Sequence, residues 1–155
     1  MADTLQQALS AELEAVRQFS DLLRREQQAL STGDTNSLPG LAEKKDVLIE
    51  GINALTSRRN QHLVACGLGI DRPGIDSWCA THPGETAVAA IWSEILEAVA
   101  KARDLNRLNG ELIQMRLQYT NKALGVLLRR EDALDLYGPD GQSTTGGSRR
   151  INDSV

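Results

Sequence analysis

The residues best suited to metal chemistry lie in one short stretch of the chain. His62 and Cys66 are separated by three residues, and Cys79 and His82 are separated by two. Two such pairs, brought together by a turn, could form a Cys2His2 zinc site. The order of the ligands is unusual for such a site, and free cysteine is common as a small buried hydrophobic residue. We therefore favour a structural role, with Cys66 in the core, Cys79 in a loop, both histidines at the surface, and no bound metal or other cofactor.

Residues that could perform catalysis form no recognisable arrangement. Neither histidine lies near a Gly-x-Ser-x-Gly sequence or a comparable nucleophile, and no Glu-x-x-His pair of the di-iron bundle type occurs. The sequence Gly67-Leu68-Gly69 follows a predicted helix rather than a strand, so it does not match a dinucleotide-binding loop. The sequence therefore predicts that the protein is not an enzyme.

The composition favours a protein built from helices. The chain of 155 residues fits one domain, and its 41% apolar but only 3% aromatic content suits helix packing better than a β-sandwich. With 17 basic and 21 acidic residues, the net charge of −4 disfavours nucleic acid and anionic membranes as partners. The N-terminus has no signal-peptide pattern, and no apolar run approaches the roughly 18 residues that span a membrane. We expect a cytoplasmic protein with reduced thiols.

Capping and stop signals divide the chain into three long helices. Thr4 and Gln7 fit a capping box, and Gly33, Gly67 and Gly138 are each placed to end a helix. These signals predict helices at about 4–32, 37–66 and 84–137. Glycines and prolines between Gly67 and Gly84 predict a loop, in which Ile75 to Ala80 could form one short helical turn.

The expected fold is all-α. We predict an antiparallel bundle of three long helices, in which the third is the longest and overhangs the other two. The bundle would form one domain over residues 1–138. Residues 139–155 would be a flexible tail, because their composition offers almost no apolar surface to bury.

The third predicted helix carries two apolar stripes. The first contains Val88, Ile91, Trp92, Ile95, Val99, Ala102, Ile113, Leu117, Leu124 and Leu128. The second contains Leu105, Leu108, Leu112, Met115, Tyr119, Ala123 and Val126. One stripe is enough to pack a helix against a core. We predict that the first stripe packs on the other two helices and that the second binds another chain.

Several polar residues in the helices have structural interpretations. Lys44, Lys45, Arg58 and Arg59 are predicted to form the solvated face of the second helix, while Glu12 and Glu26 are predicted to be solvent-exposed or seam acids. Asn106 and Asn109-Gly110 on the first stripe allow two interpretations. They either form a polar seam that sets the register of packing, or mark a bend at Gly110.

Three stretches carry a family resemblance. The first is Leu22-Leu23-x-x-Glu26-x-x-Ala29-Leu30, with Lys44 or Lys45 and Leu48 following in the second helix. The second is Arg103-Asp104-Leu105-Asn106-x-x-Asn109-Gly110-x-Leu112, followed by Ala123-Leu124-x-Val126-Leu127. The third is Leu136-Tyr137-Gly138-Pro139-Asp140-Gly141-Gln142. With these stretches in this order, the chain resembles the FlgN-type flagellar export chaperones.

The resemblance implies a small cytoplasmic chaperone for the hook-associated proteins FlgK and FlgL. Such a chaperone keeps its clients unassembled and delivers them to the flagellar type III export gate. In the family the C-terminal half carries the client site, and the tyrosine of the terminal motif is implicated in docking on the gate protein FlhA. Here that implies gate docking through Tyr137, Gly138 and Asp140. The candidate client-binding residues are Leu105, Leu108, Leu112, Met115, Tyr119, Leu124, Val126, Leu127, Leu128 and Leu134.

Two simpler interpretations remain open. Tyr137 with Gly138-Pro139 could be only a helix end followed by a turn. The second stripe could serve a structural coiled-coil protein that homodimerises through it. The sequence alone supports a helical interaction protein without distinguishing these alternatives.

Overall fold

The structure, a computed structural model, describes residues 4–135 and the side chains of residues 4–130. It contains the helices α1 (Leu5–Thr32), α2 (Leu38–Ala65), α3 (Asp71–Thr81) and α4 (Thr86–Asp135). Every regular element in this range is a helix, which confirms the all-α prediction. The predicted tail at 139–155 lies outside the described residues.

The helix ends follow the predicted signals closely. Thr4 Oγ1 accepts a hydrogen bond from the Gln7 backbone N–H at 3.2 Å, and Gln7 Oε1 accepts one from the Thr4 N–H at 2.9 Å. This capping box satisfies two backbone donors that the first turn of α1 cannot pair internally. Gly33 and Gly67 adopt left-handed conformations, with φ of 78° and 74° respectively. Gly33 directly follows α1, and Gly67 follows the C-cap residue Cys66 of α2. Both predicted stop positions are therefore confirmed.

The stretch predicted as a loop, with one helical turn possible at Ile75 to Ala80, contains the additional short helix α3, which is longer than that turn. Pro73 lies in the first turn of α3, where a missing N–H has no helical partner to lose. Position 74 has to be a glycine, because the backbone there approaches Gly69 so closely that a Cβ would lie 2.1 Å from the Gly69 carbonyl oxygen. The residues that looked like helix breakers are thus compatible with a helix whose first turn packs tightly on the preceding loop.

The chain divides into two compact units, one ending at Ile113 and the other beginning at Gln114. In the first unit, Glu12 pairs with Arg59 and Glu26 with Lys45, so α1 and α2 run antiparallel. Arg17 of α1 contacts Glu94 of α4 at 3.1 Å. Further along both helices Leu23 contacts Asn109, so α1 and this part of α4 run parallel. Helix α1 contacts both α2 and α4 and buries residues on several faces. Helices α2 and α4 also contact each other, since Lys45 donates to Asn106 Oδ1 at 2.7 Å.

The main hydrophobic core of the first unit lies near the start of α1. Its buried members are Leu5, Leu9, Leu13, Leu63, Ile75, Trp78, Val88, Trp92 and Ile95. Ile75 and Trp78 come from α3, so this short helix contributes to the core rather than connecting it loosely. Among the residues that the structure describes, none of the helices is sufficiently long and apolar to cross a membrane.

Candidate functional site

The first apolar stripe of α4 is buried only over its early part. Val88, Trp92, Ile95 and Ala102 are buried in the first unit, in agreement with their predicted packing role. Ile113, at the end of this unit, is 41% exposed. The stripe therefore stops contributing to the core well before its last predicted member.

The second unit exposes apolar side chains from both stripes. Its large apolar residues are each between 50% and 77% exposed: Met115, Leu117, Tyr119, Leu124, Val126, Leu127 and Leu128. We call this set the C-terminal apolar surface. The prediction that the first stripe packs throughout its length is wrong for Leu117, Leu124 and Leu128, because each of these side chains is more than half exposed. Exposed apolar side chains at this density are typical of a binding surface.

The remaining predicted client-binding residues have different environments. Leu105 and Leu112 are half-buried in the first unit, and Leu108 is 42% exposed. Part of the second stripe is therefore already covered within the chain. The side chain of Leu134 and the predicted gate-docking residues Tyr137, Gly138 and Asp140 lie outside the described residues.

Asn109 forms a polar contact between α4 and α1. Its side chain is fully buried, and Nδ2 donates to the backbone oxygen of Leu23 at 2.8 Å and to Oε1 of Glu26 at 3.0 Å. Lys45 Nζ donates to the same Glu26 oxygen at 3.5 Å and to Asn106 Oδ1 at 2.7 Å. Helix α4 continues through Gly110 without interruption. These contacts support the interpretation of Asn106 and Asn109 as a polar seam.

Arg59 connects all four helices of the first unit. From α2 it forms an ion pair with Glu12 of α1 and contacts Asp71 Oδ1 of α3 at 2.8 Å. Its guanidinium carbon also lies 5.0 Å from the centroid of the Trp92 ring on α4, in a cation–π arrangement. The prediction that Arg59 belongs to a solvated face is wrong, because these partners allow its charge to be buried.

Glu12, the main partner of Arg59, is a buried acid rather than a solvent-exposed one. Burial raises the pKa of Glu12, since a low-dielectric environment disfavours the charged carboxylate. The positive charge of Arg59 opposes this change, and hydrogen bonds from Arg59 and Thr56 oppose it further. The other carboxylate oxygen, Oε2, has no hydrogen-bond partner.

Asp71 is held in an unusual conformation at the start of α3. Its φ of 56° lies in the left-handed region, which a residue with a Cβ adopts only at some cost. Its N–H donates to Asn60 Oδ1 at 3.0 Å, and its carboxylate accepts from Asn60 Nδ2 at 3.1 Å as well as from Arg59. These bonds hold the backbone in place and fix where α3 begins.

The two cysteines have other environments than expected. Cys66 is exposed at the end of α2, so its predicted core position is wrong, and Cys79 lies half-buried on α3 rather than in a loop. Burial, and secondarily the charge of Asp76, raises the pKa of the Cys79 thiol. The His82 ring stacks on Trp78 with centroids 4.1 Å apart. Within residues 4–135, no three or more Cys, His, Asp or Glu side chains converge as metal ligands would.

A small apolar groove crosses the first unit. It has a volume of about 240 Å³ and is lined by Val16, Phe19, Ile49, Ile52, Val99, Ala102 and Arg103 from α1, α2 and α4. Val99 and Ala102 belong to the first stripe of α4 and were predicted to pack on the other helices. The spacing of that stripe contains no indication that this packing would leave a groove.

Comparisons with known proteins point to a flagellar family. The model of the FlgN protein family matches residues 1–145 of the chain. The flagella synthesis protein FlgN of Proteus mirabilis is 27% identical over 145 residues, which cover 92% of each chain. The protein of the same name from Salmonella typhimurium is 30% identical over 131 residues, which cover 82% of each chain. No solved structure matches the chain.

Proposed function

The chain belongs to the FlgN family, and from that premise we propose that it is a cytoplasmic flagellar export chaperone for the hook-associated proteins FlgK and FlgL. In this role it is a binding protein rather than an enzyme. It covers segments through which its clients would otherwise assemble too early, and it delivers those clients to the export gate.

The C-terminal apolar surface is the observation that carries this proposal. An amphipathic client helix laid along one face of α4 could bury about three or four of its side chains, each contributing roughly 1.5–3 kcal/mol before the cost of ordering both partners. This arrangement corresponds to helix-in-groove recognition. The whole set belongs to the second unit, which lets client binding proceed without opening the core of the first.

Calorimetric titration tests the proposal directly. The full chain is titrated with the terminal segments of FlgK and FlgL, and with scrambled segments of the same composition. We expect saturable binding of the two native segments with a negative heat-capacity change, the signature of buried apolar surface. Absence of binding by both native segments would contradict the proposal.

A homodimer is the competing use of the same surface. Sedimentation of the chain over a wide concentration range distinguishes the two. We expect the mass of one chain alone and of a chaperone–client complex when a client segment is added. A stable dimer that client segments do not dissociate would favour the structural coiled-coil alternative.

We further propose that Tyr137, Gly138 and Asp140 dock on the gate protein FlhA. This proposal rests on the family resemblance of the terminal motif. Because these residues follow the C-terminal apolar surface in sequence, Tyr137→Ala should weaken binding to FlhA and leave client affinity unchanged. Equal loss of both activities would contradict separate sites.

A further inference from the structure

The part of α4 that carries the C-terminal apolar surface is strongly basic. Between Gln114 and Arg130 the sequence contains Arg116, Lys122, Arg129 and Arg130 but no acidic residue. The chain as a whole has a net charge of −4. Positive charge is therefore concentrated on the helix segment whose apolar side chains are exposed.

The basic residues border only one of the two apolar faces in this segment. At about 100° per residue, Met115, Tyr119 and Val126 lie on one face of α4. Lys122 and Arg129 border it on one side, with Arg116 and Arg130 on the other. The opposite face, with Leu117, Leu124 and Leu128, has the uncharged neighbours Gln114, Thr120 and Asn121. We call the face bordered by basic residues the basic-edged face.

A notch lies along one border of the basic-edged face. It has a volume of about 470 Å³ and is lined by Asn121, Lys122, Gly125, Val126 and Arg129. Gly125 contributes no side chain, so the space between the two cations stays open. Lys122 and Arg129 are seven residues apart, which places their Cα atoms about 10 Å apart along the helix axis. The notch therefore presents two cations, two helical turns apart, beside an apolar residue.

We propose that the basic-edged face binds an acidic amphipathic helix, with two of its carboxylates, two turns apart, paired with Lys122 and Arg129. This inference rests on the proposed client-binding function and specifies the chemistry of the client segment. The apolar stripe of the partner packs on Met115, Tyr119 and Val126. The acidic residues along the border of the partner helix orient it on α4 and speed its association with the chain, as complementary charges do at other interfaces.

Two other occupants fit the basic-edged face less well. A second copy of this chain, paired through the same face, would bring four basic residues against four. Nucleic acid would suit the positive charge, but Tyr119 is a single aromatic side chain on this face, and its neighbours Met115 and Val126 offer no surface on which successive bases could stack. An acidic amphipathic helix satisfies both the apolar and the charged parts of the surface.

Three synthetic helical peptides of about 20 residues, roughly 30 Å long, test the inference. They share one apolar face and carry Glu, Gln or Lys along its borders. Their binding to the full chain is measured by fluorescence anisotropy at about 50 and 300 mM salt. At low salt the Glu peptide should bind about tenfold more tightly than the Gln peptide, and the Lys peptide most weakly. The preference should shrink at high salt.

Charge reversal provides a gain-of-function variant. In Lys122→Glu with Arg129→Glu the order of affinities should invert, so that the Lys peptide binds most tightly. An inverted preference cannot arise from unfolding. The matched control is Lys44→Glu with Arg72→Glu, which makes the same change in net charge at exposed positions of the first unit and should keep the original order.

The outcomes separate this inference from the proposed function. If native FlgK and FlgL segments bind but all three peptides bind equally, or charge reversal leaves their order unchanged, the acidic partner is wrong while the chaperone function stands. If neither native segments nor peptides bind, both proposals fail.

A single-stranded oligonucleotide that displaces the Glu peptide from wild type but not from the charge-reversed variant would overturn the inference in favour of nucleic acid. Self-association abolished by charge reversal would overturn it in favour of a second copy.

Discussion

Glu12 on α1 and Arg59 on α2 form an ion pair in which each side chain is only 5% exposed. A buried pair of this kind adds little net stability, because both charges have lost their hydration. Removing one partner is nevertheless costly, since the other charge stays buried without compensation. Here the guanidinium also contacts Asp71 and Trp92, so its loss affects the junction of all four helices.

Arg59→Met should lower the free energy of unfolding by about 3–5 kcal/mol at neutral pH. The methionine keeps much of the apolar volume but leaves the Glu12 carboxylate buried and unpaired. Urea denaturation followed by circular dichroism measures the loss. Lys44→Met, at an exposed position of the same helix, is the control and should change stability by less than about 0.5 kcal/mol. Similar small losses in both variants would contradict the importance of the buried pair.

The pH dependence of stability should depend on Glu12. Its pKa is raised by folding from the ordinary value of 4.5, so just above 4.5 the folded chain holds a proton that the unfolded chain releases. The contribution of Glu12 to the free energy of unfolding therefore falls as pH rises through this interval. In Arg59→Met the pKa should rise further, because the opposing positive charge is gone.

The loss of unfolding free energy caused by Arg59→Met should therefore be smaller at acidic pH than at neutral pH. At about pH 5 much of the unpaired Glu12 should be protonated and neutral, so its burial costs less than at about pH 7.5. Denaturant titrations of wild type and variant at the two pH values give the comparison. A defect that stays constant or grows toward acid would show that the buried carboxylate is not its cause.

Gly74→Ala should destabilise the chain by about 1–3 kcal/mol, because the new Cβ would collide with the Gly69 carbonyl oxygen and α3 would have to move. Gly51→Ala is the matched control. Gly51 lies inside α2, and a Cβ at this position would have no neighbouring atom within 4 Å, so the substitution should stabilise by up to about 1 kcal/mol. Thermal denaturation of both variants tests the pair. Stabilisation by both would mean that Gly74 is not constrained by packing.

The outcome for α3 shows what local sequence rules miss. Pro73 and Gly74 are typical of a loop, although proline is tolerated in a first turn and Gly74 is required by a contact with Gly69. The two glycines are only five residues apart, but the backbone between them turns at Asp71, which is held by Arg59 and Asn60 of α2, so no pattern within the stretch reveals their close approach. The burial of Arg59 could not be predicted for a similar reason, because its three charged or aromatic partners come from three other helices.

Periodicity predicted the helices better than it predicted their partners. The caps at Thr4, Gly33 and Gly67 depend on neighbouring residues only, and the sequence located them correctly. The first stripe of α4 has one uniform pattern, yet Ile95 is 2% exposed and Leu117 is 52% exposed. A stripe shows which side chains share a face. Whether that face is covered depends on packing that the pattern does not contain.

Met115→Asp with Tyr119→Asp should abolish binding of FlgK and FlgL segments while leaving the fold intact. Both side chains are more than 60% exposed, so two new carboxylates there remain hydrated in the free chain and would be buried unpaired only under a client helix. These positions are better targets than Leu112, which is half-buried in the first unit. Calorimetric titration measures binding, and circular dichroism with thermal denaturation measures the fold.

Two control variants separate docking from folding. Val47→Asp with Val64→Asp places the same charges at positions of α2 that are 67% and 59% exposed, and client binding should persist. Ile95→Asp introduces a charge at a core position and should unfold the chain. If the α2 variant loses binding as completely as the α4 variant, added negative charge repels the client wherever it lies, and the C-terminal apolar surface is not the site. If the α4 variant is itself unfolded, its side chains serve the core, and clients must dock elsewhere.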